Sequence, residues 1–130
     1  MATLFSRIVQ GEIPAHKVAE NDEFLAFLDI NPLVMGHTLV IPKKEIDYVF
    51  DLDDDLLSRL MIFAKQVGKA VEKSVECKRI GIAVIGLEVP HCHVHLVPLN
   101  EMDDINFMRP KLQPEQSELK NMAQLIQRNI

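Results

Sequence analysis

The chain is poor in several residues on which particular functions depend. It contains no Trp, one Tyr and two Cys, Cys77 and Cys92, in 130 residues. So few Trp and Tyr rings offer little for base stacking, and a net charge of −5 argues against a polynucleotide binder, which usually has a basic face. The two cysteines form no CxxC pair and are too few for the disulfide framework of a small secreted domain. These shortages predict a reducing compartment and no nucleic-acid partner.

Long hydrophobic segments are also missing. The densest apolar run, residues 82–87, falls far below the roughly 20 residues that a membrane-spanning helix needs. The first thirty residues do not follow the layout of a signal peptide, because Arg7, Glu12 and His16 interrupt them. We therefore expect a cytoplasmic protein that has no membrane partner.

The length and the hydrophobic content define the class of protein. A chain of 130 residues that is 48% hydrophobic has the size and the core-forming content of one domain. We predict a single domain over residues 1–130. Residues 103–130 differ in character, because Pro110 and Pro114 interrupt them before a final helix, and we treat them as a C-terminal extension.

Hydrophobic periodicity predicts one long helix among several short strands. The long helix runs from Asp53 to about Lys73, with acidic residues at its start and an apolar stripe at helical spacing. A short N-terminal helix is capped by Thr3 and stops at Gly11. This succession predicts an α+β fold with helices on one face of a mostly antiparallel sheet. The expected strands cover residues 17–19, 24–29, 37–41, 79–85 and 91–97.

Histidine is scarce as well, and its distribution is uneven. Three of the five His fall within five consecutive residues, as His91, His93 and His95, and apolar residues alternate with them. On a β-strand this period of two sends the three imidazoles to one face and the apolar residues into the core. Three interpretations stay open at this point: an ordinary half-buried strand, a metal site and a site for phosphorus chemistry.

A metal site needs ligands from outside this segment. Alternate residues of a strand lie about 6.6 Å apart at the backbone, so two of the imidazoles can share one zinc ion. His91 and His95 lie about 13 Å apart, which disfavours three-fold chelation by the strand alone. Further ligands would have to come from elsewhere, such as His37 or Glu45. A site of this kind would make the protein a metal-dependent hydrolase.

Phosphorus chemistry uses all three imidazoles without a metal. Neutral imidazole is a good nucleophile near neutral pH, because its ordinary pKa is about 6.5. A hydrogen bond that ties down one ring nitrogen leaves the lone pair of the other free to attack. The middle histidine can then attack a phosphorus atom while its neighbours donate hydrogen bonds to the phosphate oxygens.

The segment His91–Val97 resembles the signature of the histidine triad (HIT) family, in which three His alternate with apolar residues. Three further segments resemble the N-terminal half of the branch that contains the phosphoramidase-type HINT proteins: Thr3–Val18, Phe24–Pro32 and Gly36–Lys44. With the long helix and the strands that follow it, the resemblance extends to about residue 99. It implies a HIT-like fold, with a mostly antiparallel five-stranded sheet, one long helix, and short N-terminal and C-terminal helices.

The resemblance also implies an activity and a role for each histidine. The protein would be a nucleotidyl hydrolase or transferase that cleaves a nucleoside 5′-phosphate derivative, such as a phosphoramidate or a dinucleoside polyphosphate, without a cofactor. His93 would attack the α-phosphorus and form a covalent nucleotidyl-histidine, and His91 would fix its tautomer through a backbone carbonyl. His95 would contact phosphate or leaving-group oxygens, and His37 would support the triad from the neighbouring strand.

The same resemblance implies a nucleoside pocket and a protein partner. Asp29 would accept hydrogen bonds from the ribose hydroxyls. The family also pairs long helices and edge strands into a homodimer, and the tail residues Phe107, Met108 and Met122 would reach the partner. The apolar wall around the base would be formed by Leu4, Phe5, Ile8, Phe27, Ile30 and Leu39.

The chain departs from the family pattern in two places. Many bacterial relatives hold a structural zinc where this chain has Thr3, Ser6 and Glu45 together with His91, so we predict no metal site. The loop before the triad is shorter and carries Glu88 where the family has a phosphate-binding residue, and a carboxylate repels a phosphate unless it is protonated or turned away. The alternative to an enzyme is therefore a nucleotide-binding or interaction module with little turnover.

Overall fold

The computed structural model describes residues 2–130 of the chain. Within that range the strands are β1 (Lys17–Glu20), β2 (Phe24–Leu28), β3 (Thr38–Pro42), β4 (Arg79–Ala83) and β5 (Val94–Leu99). The α-helices are α1 (Leu4–Val9), α2 (Asp54–Ser74) and α3 (Gln116–Arg128). The strands pair antiparallel in one sheet with the order β1-β2-β3-β5-β4. The predicted α+β fold with a five-stranded antiparallel sheet is confirmed.

Helix α2 forms where the sequence predicts it, because its ends are well specified. The Asp53 carboxylate accepts a hydrogen bond from the backbone N–H of Leu56 at 2.8 Å, which caps the first turn. Asp54 and Asp55 in that turn and Lys73 in the last turn complement the helix dipole. The buried stripe of the helix comprises Leu56, Leu60, Phe63, Ala64, Val67, Ala70 and Val71.

The sheet is covered on both faces, which corrects the expectation that the helices share one face. Every residue of β2 and β3 is buried, so both faces of these strands need apolar cover. Ala26 and Val40 face the core that α2 and α3 cover. Phe27 and Leu39 face the opposite side, where α1 packs through Phe5. The short N-terminal helix therefore closes the second face of the sheet.

Strand β5 begins later than the sequence predicts. It starts at Val94, so His91 and His93 precede the strand rather than lying in it. The backbone before the strand is bound to a loop, since the N–H of Cys92 donates to the carbonyl of Ile46 at 2.7 Å. The alternation of side chains continues nevertheless. Cys92 and Val94 lie in the α2 core, whereas both histidines contact an α1 side chain on the other face.

The C-terminal region packs against α2 and β1. After β5 the chain forms a 3₁₀ turn at Met102–Ile105 and then a segment without regular structure up to α3. The side-chain amide of Gln127 donates to the backbone carbonyl of Lys17 at 2.7 Å, which ties α3 to β1. The residues that α3 buries in the core are Leu119, Ala123 and Ile126.

The helices and the two cysteines bear on the expectations for membrane spans and thiols. None of the helices within residues 2–130 is both long enough and apolar enough to cross a membrane. Cys77 and Cys92 carry free thiols. Burial raises the pKa of the Cys92 thiol to about 11, so this cysteine is an inert core residue at neutral pH.

Candidate functional site

A cavity of about 780 Å³ opens beside α1 and the adjacent ends of β2 and β3. This volume falls within the roughly 300–1,000 Å³ of small-molecule sites. Two of the predicted site residues, His37 and His91, contact lining residues from behind the wall of the cavity. The other predicted site residues all line it: Leu4, Phe5, Ile8, Phe27, Asp29, Ile30, Leu39, Glu88, His93 and His95.

Other lining residues come from positions that the sequence does not single out. Asn31 and Val89 adjoin predicted residues along the chain, so proximity to Ile30 and Glu88 is the signal that could have found them. Nothing in the sequence places the C-terminal tail over the cavity, because its position depends on tertiary packing. The remaining lining residues are Ile13, Pro14, Ala15, Leu28, Pro110, Lys111 and Gln113.

His93 presents one tautomer to the cavity. Its Nδ1 lies 2.7 Å from the backbone carbonyl oxygen of His91, and a carbonyl oxygen only accepts hydrogen bonds, so Nδ1 carries the proton. In the neutral ring the lone pair then lies on Nε2. The ring of Phe5 packs edge-on against His93, with ring centroids 5.0 Å apart. The arrangement offers a positioned nitrogen nucleophile.

A backbone amide fixes the tautomers of two further histidines. The N–H of Leu33 donates to His37 Nδ1 at 3.1 Å. Because that nitrogen accepts, the proton of the neutral His37 ring lies on Nε2, which donates to His95 Nδ1 at 2.9 Å. His95 in turn keeps its own proton on Nε2. This histidine chain, Leu33–His37–His95, therefore ends in an N–H donor on a residue that lines the cavity.

Burial keeps the histidine chain neutral. It lowers the pKa of His37 to about 3, with the neighbouring His95 adding to the effect, and it lowers the pKa of His95 to about 4. Burial also raises the pKa of Asp29, against the opposing effect of a hydrogen bond from the N–H of Asn31 at 2.9 Å. The Asp29 carboxylate lies 3.8 Å from His37 Nε2. At neutral pH the two imidazoles act as dipoles of fixed direction rather than as cations.

The ligand atoms of Asp29, His37 and His95 also lie within 4.8 Å of one another, as they would in a cation site. The tautomers argue against that role. A histidine that binds a metal through Nε2 keeps its proton on Nδ1 and donates it to an acceptor. His37 Nδ1 instead faces the N–H of Leu33, so metal binding would bring two N–H groups together. We therefore assign these residues to hydrogen bonding.

The four positions that the resemblance relates to a zinc site, Thr3, Ser6, Glu45 and His91, form a hydrogen-bonded cluster in this chain. The His91 ring is fully buried, and its Nε2 donates to the carbonyl of Pro42 at 2.8 Å. Its Nδ1 accepts from the Thr3 hydroxyl at 2.9 Å. Glu45 Oε1 accepts from the N–H of Thr3 and from the Ser6 hydroxyl, both at 2.7 Å, and these bonds lower the pKa of Glu45. The cluster ties α1 to the segment before β5.

Glu88 adds a second carboxylate to the cavity. It is exposed and lines the same space as Asp29, so it is not turned away from a ligand. Its charge is among the causes that raise the pKa of Asp29. A phosphate bound in this cavity therefore meets two acidic groups.

Phe107 covers the histidine chain from the C-terminal tail. Its ring packs edge-on against His95, with centroids 4.7 Å apart, and lies 6.2 Å from the His37 ring. These contacts lie within one chain, and the predicted contact of Phe107 with a partner stays a prediction. Met122 likewise packs on the α2 core, whereas Met108 is exposed.

Comparisons with known proteins relate this site to one family. The family model described as "HIT domain" matches residues 10–102. An uncharacterized HIT-like protein of Borreliella burgdorferi is 36% identical over 135 aligned positions, which cover 98% of this chain and 97% of that protein. Adenosine 5′-monophosphoramidase HNT1 of Saccharomyces cerevisiae is 36% identical over 98 positions, or 75% of this chain and 62% of the yeast protein. The crystal structure of a Hit-like protein from Bartonella henselae matches with a TM-score of 0.87 and 28% identity, covering 98% of this chain and 96% of that one.

Proposed function

The chain belongs to the HIT domain family, and on that premise we propose that it is a nucleotidyl hydrolase or transferase. Its substrate is a nucleoside 5′-phosphate derivative, either a phosphoramidate or a dinucleoside polyphosphate. The yeast relative, named as an adenosine 5′-monophosphoramidase, supports this class. The observation that carries the proposal is the hydrogen bond between His93 Nδ1 and the His91 carbonyl, because it leaves Nε2 free to attack.

The proposed reaction is a double displacement at the α-phosphorus. The His93 Nε2 lone pair forms a bond to phosphorus, and the bond from phosphorus to the leaving nitrogen or oxygen breaks and gives its electron pair to the leaving group. The His91 carbonyl stabilises the positive charge that develops on the ring of the nucleophile. A water molecule then attacks the same phosphorus, the bond to Nε2 breaks, and its electron pair returns to the ring as the nucleoside monophosphate is released. The proton that the water gives up to solvent balances the one that the leaving group takes from solvent in the first step.

The histidine chain supplies the electrostatic part of this proposal. The Nε2–H of His95 donates to a non-bridging phosphate oxygen, where negative charge increases in the transition state. His37 holds that donor in one orientation, because its own proton is directed to His95 by the amide of Leu33. No group has to reorient during the reaction, which is the condition under which such donors are most effective.

The other half of the cavity suits the nucleoside. Asp29 accepts hydrogen bonds from the ribose hydroxyls in this proposal, because a carboxylate offers only acceptors when ionised. The apolar lining from α1, β2 and β3 then contacts the base, and Phe27 and Leu39 are among its most buried members. Small-molecule sites commonly combine such an apolar wall with a few polar groups that set orientation.

A second candidate function is nucleotide binding with little turnover. It is favoured by Glu88, whose carboxylate lines the cavity instead of a neutral phosphate-binding residue. Isothermal titration calorimetry that detects AMP binding, together with no hydrolysis of any substrate tested, would support this alternative over the enzyme.

The test of the enzyme compares the wild type with His93→Ala. Both are incubated with adenosine phosphoramidate and with diadenosine polyphosphates, and AMP release is measured. Loss of a nucleophile that acts as part of a unit should lower kcat by at least about a thousandfold. His16→Ala is the matched control, because His16 lies outside the cavity lining. Activity that persists in His93→Ala would reject the assignment, and intact-mass detection of a nucleotidyl adduct in quenched wild type alone would support the covalent step.

We also propose that two copies of the chain form a homodimer. Strand β4 lies at an edge of the sheet, exposes Ile82, and is followed by the exposed side chains of Val84 and Ile85. An edge with apolar side chains is suited to antiparallel addition of another strand. Sedimentation should give twice the chain mass of 14.8 kDa, and a species of 14.8 kDa would contradict the dimer.

Two further properties, the domain extent and the location of the protein, belong to the proposal. Residues 1–130 act as one domain with residues 103–130 as its C-terminal extension, because α3 packs into the core that α2 covers. The protein acts in the cytoplasm, a location with which the free thiols of Cys77 and Cys92 are consistent.

A further inference from the structure

Part of the cavity wall is built by residues that follow the match to the HIT domain. That match ends at residue 102, whereas Pro110, Lys111 and Gln113 line the cavity. We call residues 106–113 the C-terminal strap. The strap is held at two points, because the N–H of Leu112 donates to the carbonyl of Pro32 at 2.9 Å and the ring of Phe107 packs on a histidine.

Lys111 is the one lysine or arginine among the lining residues of the described chain. Its Nζ donates to the backbone carbonyl of Phe107 at 2.8 Å, which orients the ammonium and leaves two of its three N–H groups for other acceptors. Within residues 2–130 no carboxylate forms an ion pair with it. The charge of Lys111 is therefore not neutralised by the protein.

Lys111 is the positive charge among lining residues that include two carboxylates. Asp29 and Glu88 both line the space, and the buried imidazoles of His37 and His95 are neutral at pH 7. A phosphate in the cavity thus finds neutral donors, two acidic groups and one cation. The cation acts on the site itself, because Lys111 is among the charges that lower the pKa of Asp29 and of His37.

We propose that Lys111 is a substrate-specificity residue whose ammonium binds the phosphate oxygens of the substrate. This inference rests on the proposed function and extends it, because it makes the C-terminal strap part of the nucleotide site. Lys111 offsets the repulsion from Glu88, and it makes affinity depend on the charge of the phosphate. A nucleoside, which has no phosphate, gains no affinity from Lys111.

The test measures the Kd of AMP and of adenosine by calorimetry for the wild type, Lys111→Gln and Lys111→Arg. Glutamine retains an N–H donor for the Phe107 carbonyl but removes the charge. Lys111 is exposed, and one charge-assisted hydrogen bond at an exposed site corresponds to about a fivefold change at most. Lys111→Gln should therefore raise the Kd of AMP about fivefold and leave that of adenosine unchanged. Lys111→Arg should restore AMP binding. Added salt should weaken AMP binding to the wild type more than to Lys111→Gln.

The matched control is Lys120→Gln, which removes an exposed lysine of α3 outside the cavity lining. Equal AMP binding by wild type and Lys111→Gln would overturn the role of Lys111 and leave the proposed function intact. A parallel loss of adenosine and AMP binding would also overturn it, because it would indicate a structural role. Failure of the wild type both to bind AMP and to hydrolyse any substrate would overturn the proposed function and this inference together, whereas AMP binding without hydrolysis would overturn the enzyme alone.

Discussion

Mild acid should destabilise this protein through its buried histidines. His37 and His95 have folded-state pKa values of about 3 and about 4, because burial disfavours their charged forms. In the unfolded chain both have a pKa of about 6.5. As the pH falls below that value, the unfolded state binds protons that the folded state does not, so stability is lost until the pH reaches the folded-state pKa values. Asp29, whose pKa burial raises, offsets a part of this loss.

The size of the effect follows from these pKa values. For each proton that only the unfolded state binds, the free energy of unfolding falls by about 1.4 kcal/mol per pH unit. Each histidine has a pKa of about 6.5 in the unfolded chain and of about 3 or about 4 in the folded one. Between about pH 7 and about pH 5, each one therefore lowers the free energy of unfolding by nearly 2 kcal/mol. The pair therefore removes roughly 3.5 kcal/mol, a large share of the about 5–15 kcal/mol of a typical domain.

Urea unfolding at these two pH values measures the loss directly. His95→Gln keeps an acceptor for the His37 N–H but cannot bind a proton, so this variant should lose about 2 kcal/mol less free energy of unfolding than the wild type. His16→Gln controls for the removal of any histidine, because the half-buried side chain of His16 bonds to the side chain of Gln116, away from the cavity lining. A loss below about 1 kcal/mol in the wild type, or an equal loss in His95→Gln, would refute the neutral histidine chain.

Two further predictions concern stability. Thr3→Val removes the N-cap of α1 and the closer of the two hydroxyls at the buried Nδ1 of His91, leaving only that of Ser6 at 3.4 Å. The free energy of unfolding should fall by about 1–3 kcal/mol, whereas Thr3→Ser should retain most of it. Equal stability of these two variants would contradict the hydroxyl's role. Gly36→Ala places a Cβ 2.8 Å from Val75 Cγ2 at a residue with a φ of +95°. Gly86→Ala is the control, because Gly86 also has a positive φ but no atom lies within 4 Å of its added Cβ. Thermal unfolding should show Gly36→Ala to be about 1–3 kcal/mol less stable than Gly86→Ala. No difference between the two alanine variants would mean that the Val75 contact carries no strain.

Local patterns were sufficient for the parts of the fold that depend on neighbouring residues. Helix α2 was predictable because caps, charges and apolar spacing all agree along one segment. The start of β5 was not, because the N–H of Cys92 bonds to Ile46, which lies far away in the sequence. The prediction that all helices lie on one face of the sheet was wrong, because α1 covers the second face. A stripe of apolar residues does not indicate which face of a sheet a helix will cover.

For the candidate site, too, the sequence predicted the features that depend on local spacing and missed those that depend on tertiary packing. The spacing of His91, His93 and His95 predicted a shared side of the chain, and the resemblance to the HIT family supplied their expected roles. The direction of each hydrogen bond could not be predicted, because it depends on the backbone amide of Leu33 and on where each carbonyl lies. Lys111 was missed because no motif surrounds it, and only tertiary packing brings the strap to the cavity.

The loop of residues 29–36 supports two walls of the cavity, the C-terminal strap and the histidine chain. Asp29 begins it at the proposed ribose site, the carbonyl of Pro32 holds the strap, and the N–H of Leu33 sets the proton order of the histidines. Surface loops usually tolerate insertions and deletions. Here two of the working groups are backbone atoms, whose positions depend on how many residues precede them. One residue more or fewer in this loop would misalign both walls together, so its length is as much a part of the site as any side chain.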